Sequence, residues 1–363
     1  MHRHLIVRAV DVGYGHIKFT NGRDPDTGLI LTDGHPSQSP IARKPQSNSK
    51  VLSRRDTAIV PVGDRFFEVG KDVGLAMETY HEGDVLDQDF PLTDAYAARL
   101  FGALNYMYGG LGPDHVIDYL ILGLPMTTIN RHAAALEQRF VGPKTINALG
   151  HVVHIHCVEV FPQPVGSYVT YLAANPSAAN VKKPRSLVVD PGYNTLDWYV
   201  VEGTTPSDLK SGAVQRGMGA VLRSAAEALI APVEQGGAKE AQGGSVKEIE
   251  RRLDQALTKD VPFTLCGHEL DATRYLASGN MIIDEAVQAI KNSVGLGSDI
   301  DIIILTGGGA TMYADAIKAK FPNHRVEILP DPSFANVRGF HFMGEKLARS
   351  AERATLSRTL SPA

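Results

Sequence analysis

The chain has 363 residues, 43% of them hydrophobic, which is enough to build cores for two domains of ordinary size. Lys and Arg total 36 against 40 Asp and Glu, so bulk charge excludes a protein that coats nucleic acid or an anionic membrane. The two cysteines, Cys157 and Cys266, exclude a disulfide framework and a cysteine metal spacing, no stretch reaches the roughly 18 apolar residues of a membrane helix, and a cytoplasmic location is expected.

Met1-His2-Arg3-His4 precedes only a short apolar run, without the h-region of a signal peptide. Leu5 to Val10 then leads into Asp11-Val12-Gly13-Tyr14-Gly15, and Phe19-Thr20-Asn21-Gly22 reads as the return strand and its turn. This is a hairpin with a carboxylate at its mouth. Gly34 to Asn48 is rich in Pro, Ser, Gln and Gly and reads as a loop, while Ala58 to Gly70 has the apolar, Gly-Asp, apolar form of another hairpin. Residues of about 35–87 are expected to form a small inserted subdomain. Thr93-Asp94 caps an Ala-rich helix to Tyr108, stopped by Gly109-Gly110.

Tyr119 to Leu124 is a buried strand ended by Pro125, Arg131 to Phe140 a helix, and His151 to Phe161 a strand. Pro162-Gln163-Pro164-Val165-Gly166 is read as the turn into a helix from about Ser167 to Asn175. The linker from Pro176 to Pro184 marks the domain boundary. Leu187 to Val201 repeats the opening device, with Asp190-Pro191-Gly192-Tyr193-Asn194-Thr195 between two apolar runs. Gly217-Met218-Gly219 opens a helix to about Ala231, and Gly236-Gly237 with Gly243-Gly244 flank a segment read as a mobile loop. Helices follow at Ser245 to Leu257 and Met281 to Val294. Asp301 to Leu305 is a buried strand running into Thr306-Gly307-Gly308-Gly309-Ala310. A strand near Val326 to Leu329 leads to a helix of roughly Phe334 to Ala351, with a frayed end.

Glycine turns let backbone N–H groups approach a polyphosphate, because no Cβ stands in the way. Gly13 and Gly15 supply this in the first hairpin, and Gly192, Asn194 and Thr195 in the second. An aspartate at the strand end cannot bind phosphate, but Asp11 and Asp190 can hold Mg²⁺ through its waters, since that ion keeps most of its hydration shell. The triple glycine after a buried strand allows a ligand ring to lie against the backbone. His154 and His156 share one strand face, which permits a metal site geometrically, although the plainer reading is an exposed strand face. A dinucleotide-binding oxidoreductase is disfavoured, because no Gly-x-Gly-x-x-Gly opens a helix after the first strand.

In this order the motifs resemble the actin-like ATPase superfamily: Asp11 to Gly15 its first phosphate motif, Asp190 to Thr195 its second, and Thr306 to Ala310 its adenosine motif. Phe161 to Gly166 and Ala335 to Gly339 are similar to its two connecting segments. Asp11-Val12-Gly13-Tyr14-Gly15 with Lys18, the hairpin at Phe66 to Gly70 and the strand end Leu122 to Pro125 resemble bacterial plasmid-segregation actins of the ParM/StbA type, including the related PRTRC-system protein D. The resemblance implies an α/β, duplicated actin-like (ribonuclease H-like) fold with two domains around a nucleotide cleft. Domain I would span 1–180, domain II 181–345 with a helical subdomain inserted at about 220–298, and 346–363 would be a helix end and tail.

The resemblance also implies a filament-forming protein that hydrolyses ATP or GTP with Mg²⁺ and acts in plasmid or DNA segregation. Its partners would be other copies of itself and a DNA-binding adaptor at a plasmid centromere, without direct nucleic-acid or membrane contact. Gln163 matches the position that orients the attacking water, with Asp11 and Asp190 as catalytic and Mg²⁺-holding acids. The nucleotide would also meet Gly13, Tyr14, Gly15, Lys18, Gly192, Tyr193, Asn194, Thr195, Gly217, Gly219, Glu227, Gly307, Gly308 and Gly309. The alternative function is a small-metabolite kinase of the same superfamily, which would need a carboxylate base that the sequence does not reveal.

Overall fold

All six residues of β1 (Val7–Val12) are buried, Arg8 and Asp11 included, as expected of a strand covered on both faces at the centre of a sheet. The computed structural model that shows this describes residues 5–42, 55–77, 89–176 and 184–359, with side chains to 354. Its described residues fall into two compact units, one of 5–42, 55–77, 89–176 and 334–359, the other of 184–333.

In the first unit β1 pairs antiparallel with β2 (His16–Arg23), which pairs antiparallel with β3 (Ile30–Pro36). On its other side β1 runs parallel to β6 (Val116–Leu124), and β6 parallel to β8 (Val152–Pro162), with the short β7 (Gly142–Thr145) at the edge. The strand order is β3-β2-β1-β6-β8-β7. The hairpin of β4 (Thr57–Val62) and β5 (Arg65–Gly70) stands apart from this sheet. One core holds Val10, Ile17 and Phe19 with α1 (Asp94–Met107), α2 (Ile129–Phe140) and the β4–β5 hairpin. The described part of the expected small subdomain therefore has no core of its own. The helix α1 begins as expected, with Thr93 Oγ1 accepting from the Tyr96 N–H at 3.2 Å.

A second cluster of this unit packs Ala9 and Ile121 against Val337 and Phe340 of α9 (Ala335–Thr359). That helix also crosses α3 (Gln163–Ala174) at very short range: a Cβ on Gly339 would lie 1.7 Å from the Gly166 carbonyl oxygen. This corrects the expected domain division. Residues 334–345 belong to the first unit, because two facing glycines let α9 seat there. The helix also runs on to Thr359, into the stretch read as frayed.

In the second unit β9 (Arg185–Pro191) and β10 (Leu196–Glu202) form the antiparallel hairpin, extended by β11 (Thr205–Pro206) and β12 (Gly212–Val214). Parallel strands β15 (Ile302–Leu305) and β16 (Val326–Ile328) continue the sheet beyond β9. The pattern is that of β1–β2 followed by β6 and β8, so the expected duplication is present. The fold is the expected α/β arrangement. Helices α4 (Met218–Ile230), α5 (Val246–Lys259), α6 (Ala272–Leu276), α7 (Asn280–Val294) and α8 (Ala310–Lys320) share one core with this sheet. The small hairpin β13–β14 (Thr264–Leu265, His268–Glu269) lies between α5 and α6.

Three local expectations change. Ile30 to Pro36 forms β3, so the stretch read as a loop begins with a strand, and its residues 43–48 lie outside the described residues. Pro162 to Gly166 is the end of β8 and the first turn of α3, which makes Gln163 a helix-initial residue. The segment read as a mobile loop is packed down, with Ala238 and Ala241 buried in the core and Gly237 against the Ala231 carbonyl. The linker residues 177–183 lie outside the described residues.

Candidate functional site

In the first unit, antiparallel register puts Asp11 of β1 directly opposite Lys18 of β2, on the same sheet face. The carboxylate is 5% exposed. Gln163 starts α3 where β8 ends and donates its Nε2 to Asp11 Oδ1 at 2.6 Å. Burial pushes the Asp11 carboxyl up, while the Lys18 charge and the Gln163 amide pull it back down. The structure thus brings Asp11, Lys18 and Gln163 together. Gly13 lies against the His16 carbonyl, where a Cβ would come to 2.8 Å, and the Gly15 carbonyl accepts from Ser37. The half-buried Tyr14 ring lies 5.6 Å from that of Phe90, tilted by 36°, and packs against the core of this unit.

The second hairpin is built differently around the same plan. Asp190 of β9 faces Asp197 of β10, and both are buried. Thr195 Oγ1 donates to Asp197 Oδ2 at 2.5 Å. Two carboxylates directly opposite each other in a buried place repel unless a cation or a proton intervenes. Here the donor set suits a hydrated Mg²⁺, which takes hard oxygen ligands. Gly307, in the left-handed region at φ 76°, passes so close to Asp190 that a Cβ would sit 2.1 Å from Oδ1.

The turn itself is held by the start of α4. The carbonyls of Gly192, Tyr193 and Asn194 accept from the N–H groups of Met218 (2.9 Å), Gly219 (2.7 Å) and Gly217 (3.2 Å). A trans peptide points its N–H opposite to its carbonyl. The N–H groups of Tyr193, Asn194 and Thr195 are therefore turned away from α4, as a row of three donors fit for an anion. Gly217 is needed for this approach, since a Cβ there would meet the Tyr193 carbonyl oxygen at 2.5 Å. Gly217 and Gly219 spend their own donors on the turn, so they act on a ligand through the turn.

The triple glycine divides its labour in a similar way. Gly307 donates to the Pro332 carbonyl and Gly309 to the Pro191 carbonyl. Both pack against the end of β9, and Gly308 alone is exposed. Glu227 is exposed about three turns along α4 from the phosphate turn, and the structure does not bring it to that turn.

His154 and His156 are exposed on β8 as the alternation predicts, with His156 bonded to Asp118 at 3.0 Å. Among the described residues no group of three His, Cys, Asp or Glu could hold a metal ion.

Comparison with known proteins agrees with this fold. Residues 9–166 match the family of actin like proteins, N terminal domain. Solved structures match across the chain. The chain has an actin-like fold. The apo structure of pSK41 ParM has 19% identity and a TM-score of 0.65, covering 96% of this chain and 100% of that one. Ta0583, an archaeal actin homolog also solved in complex with ADP, has 20% identity and a TM-score of 0.66, covering 94% and 100%. The ParM of a 15-stranded filament from Clostridium botulinum has 16% identity and a TM-score of 0.69, covering 95% and 100%. No curated protein sequence matches this chain.

Sequence reasoning missed the buried Asp197 opposite Asp190 and the side-chain contact of Tyr193. Asp197 was within reach: once the turn is set at Gly192 to Thr195, residues equidistant from it pair, and Asp190 must face Asp197. The Tyr193 hydroxyl bonds Glu250 of α5 at 2.6 Å, a partner that no local pattern announces. No described helix is long and apolar enough to cross a membrane.

Proposed function

We propose that this protein binds a Mg²⁺-bound nucleoside triphosphate, ATP or GTP, hydrolyses its γ-phosphate, and couples that cycle to assembly into filaments of the plasmid-segregation type. The observation that carries the reading is the contact of the Gln163 amide with the buried Asp11, in a hairpin whose plan recurs around Asp190. Filament formation is supported by the likeness to a ParM solved as a filament. A DNA-binding adaptor at a plasmid centromere is the partner that this reading implies, and the cytoplasm its place.

The residues divide the chemistry as follows. The N–H groups of Tyr193, Asn194 and Thr195 donate to phosphate oxygens, and Gly13 and Gly15 keep the first turn free of side chains. Asp190, with Asp197 beside it, would hold a Mg²⁺ ion through its waters, Asp11 is assigned the same task on its own hairpin, and the ion would supply charge neutralisation for the phosphates. An ionised Asp11 accepts only, so the Gln163 NH₂ faces it and the Oε1 is left to accept from a water proton. The oriented water oxygen bonds to the γ-phosphorus while the bond to the bridging oxygen breaks, its electron pair staying on the diphosphate. The water proton passes to a phosphate oxygen, since an amide is no base. Phosphoryl transfer depends on such positioning and charge placement more than on a strong base.

The test combines phosphate release with negative-stain microscopy, in Mg-ATP and in Mg-GTP. Turnover with polymers is expected with at least one nucleotide. Absence of both activities across protein concentrations refutes the reading. Turnover without polymers that rises many-fold with one hydroxylated metabolite would make the protein a kinase of the same fold.

A further inference from the structure

Tyr193 occupies two environments at once. Its backbone carries the first N–H of the outward row, and its carbonyl accepts from Gly219 at 2.7 Å. Its ring lies over Gly219, where a Cβ would come within 2.9 Å of Cε1. Its hydroxyl reaches into the helical insertion and donates to Glu250 Oε1 at 2.6 Å. Glu250 is buried on α5, with Arg223 of α4 at 3.7 Å from its other oxygen. A buried carboxylate costs free energy unless it is paired and hydrogen-bonded, and the tyrosine hydroxyl, at 2.6 Å, is the nearer of the two partners that hold this acid in place.

We propose that Tyr193 is a strut that ties the phosphate-binding turn to α5, so that an anion on the turn is sensed by the helical insertion. The idea rests on the proposed nucleotide binding and adds its route of regulation within the second unit. An anion that draws the three N–H groups outward pulls on the peptide planes flanking Tyr193, and the rigid ring carries the displacement to Glu250. A tyrosine suits the task, because its aromatic body turns about only two side-chain torsions and its tip is polar. Coupling is reciprocal: whatever the turn does to α5, α5 does to the affinity of the turn. Tyr193 is thus a positioning residue, and its side chain has no need to touch the nucleotide.

Hydrogen–deuterium exchange on the full chain, with and without Mg²⁺ and a non-hydrolysable ATP or GTP analogue, reads the coupling directly. In the wild type the analogue should slow exchange at 192–196 and at 246–259 together. In Tyr193→Phe, which removes one oxygen and keeps the ring, protection at 192–196 should remain and the response of 246–259 should vanish. Analogue affinity should fall about tenfold. Glu250→Gln, which still accepts from the hydroxyl, should keep the response, and Glu250→Leu should lose it. A merely structural bond would lower thermal stability in these variants without changing the difference between bound and free states. An α5 response that persists in Tyr193→Phe overturns the strut. Protection of 192–196 in the wild type without any response in α5 overturns it too, while leaving nucleotide binding intact. No protection anywhere refutes the binding reading instead.

Discussion

Gln163 donates its side-chain amide to Asp11 at 2.6 Å, joining the first residue of α3 to the buried acid of β1. Gln163→Ala should therefore slow turnover by roughly 100-fold while leaving nucleotide affinity within a few-fold, because positioning is lost and binding is spared. Gln163→Glu places two acceptors in contact and should cost about 1–3 kcal/mol in urea unfolding. Adding Asp11→Asn restores a donor–acceptor pair with reversed polarity, and the double variant should recover most of that loss. Additive losses in the double variant would show that the contact does not orient the amide.

Asp190 and Asp197 face each other across β9 and β10. Asp197→Asn replaces a buried carboxylate that lies opposite Asp190 and accepts from Thr195 Oγ1, so it should shift the thermal midpoint of the nucleotide-free protein. It should also reduce the extra stabilisation given by Mg²⁺ with nucleotide. Thermal unfolding in both conditions measures the two effects. Unchanged midpoints in each would remove Asp197 from the cation site.

Gly339 meets Gly166 so closely that any side chain must force α9 off α3. Gly339→Ala should destabilise the protein by at least ~3 kcal/mol in denaturant unfolding. Gly109→Ala, at a position where a Cβ meets nothing within 4 Å, is the control and should be near neutral. Equal stability of the two variants would contradict the packing described.

His35 is buried beside Phe19 and Tyr106, and burial lowers its pKa to about 4. The folded state keeps it neutral while the unfolded chain takes up a proton near the ordinary value of 6.5. Stability from this group is therefore complete above about pH 6.5 and is lost as pH falls towards 4, by on the order of 3 kcal/mol. Urea unfolding at pH 7 and pH 5 should show the decline, and His35→Phe should flatten it. An equal decline in that variant would assign the pH dependence to other groups.

Much of this protein was legible from local pattern alone. Each acid hairpin announces itself by an apolar run, an aspartate and a glycine turn, because strand burial and turn geometry are decided within a dozen residues. The same holds for α1, whose cap and stop are adjacent in sequence, and for the strand before the triple glycine. The order of these motifs was enough to point to the actin-like fold.

Tertiary structure alone decided what each residue does inside those motifs. It paired Asp11 with a lysine but Asp190 with a second acid, since pairing across a hairpin depends on register. It turned three amides outward by giving their carbonyls to α4, and used Gly217, Gly307 and Gly309 for close approach. It returned α9 to the first unit through Gly166 and Gly339, a contact between residues far apart in the chain. Sequence carries periodicity and turn chemistry; close approach and register exist only once distant segments meet.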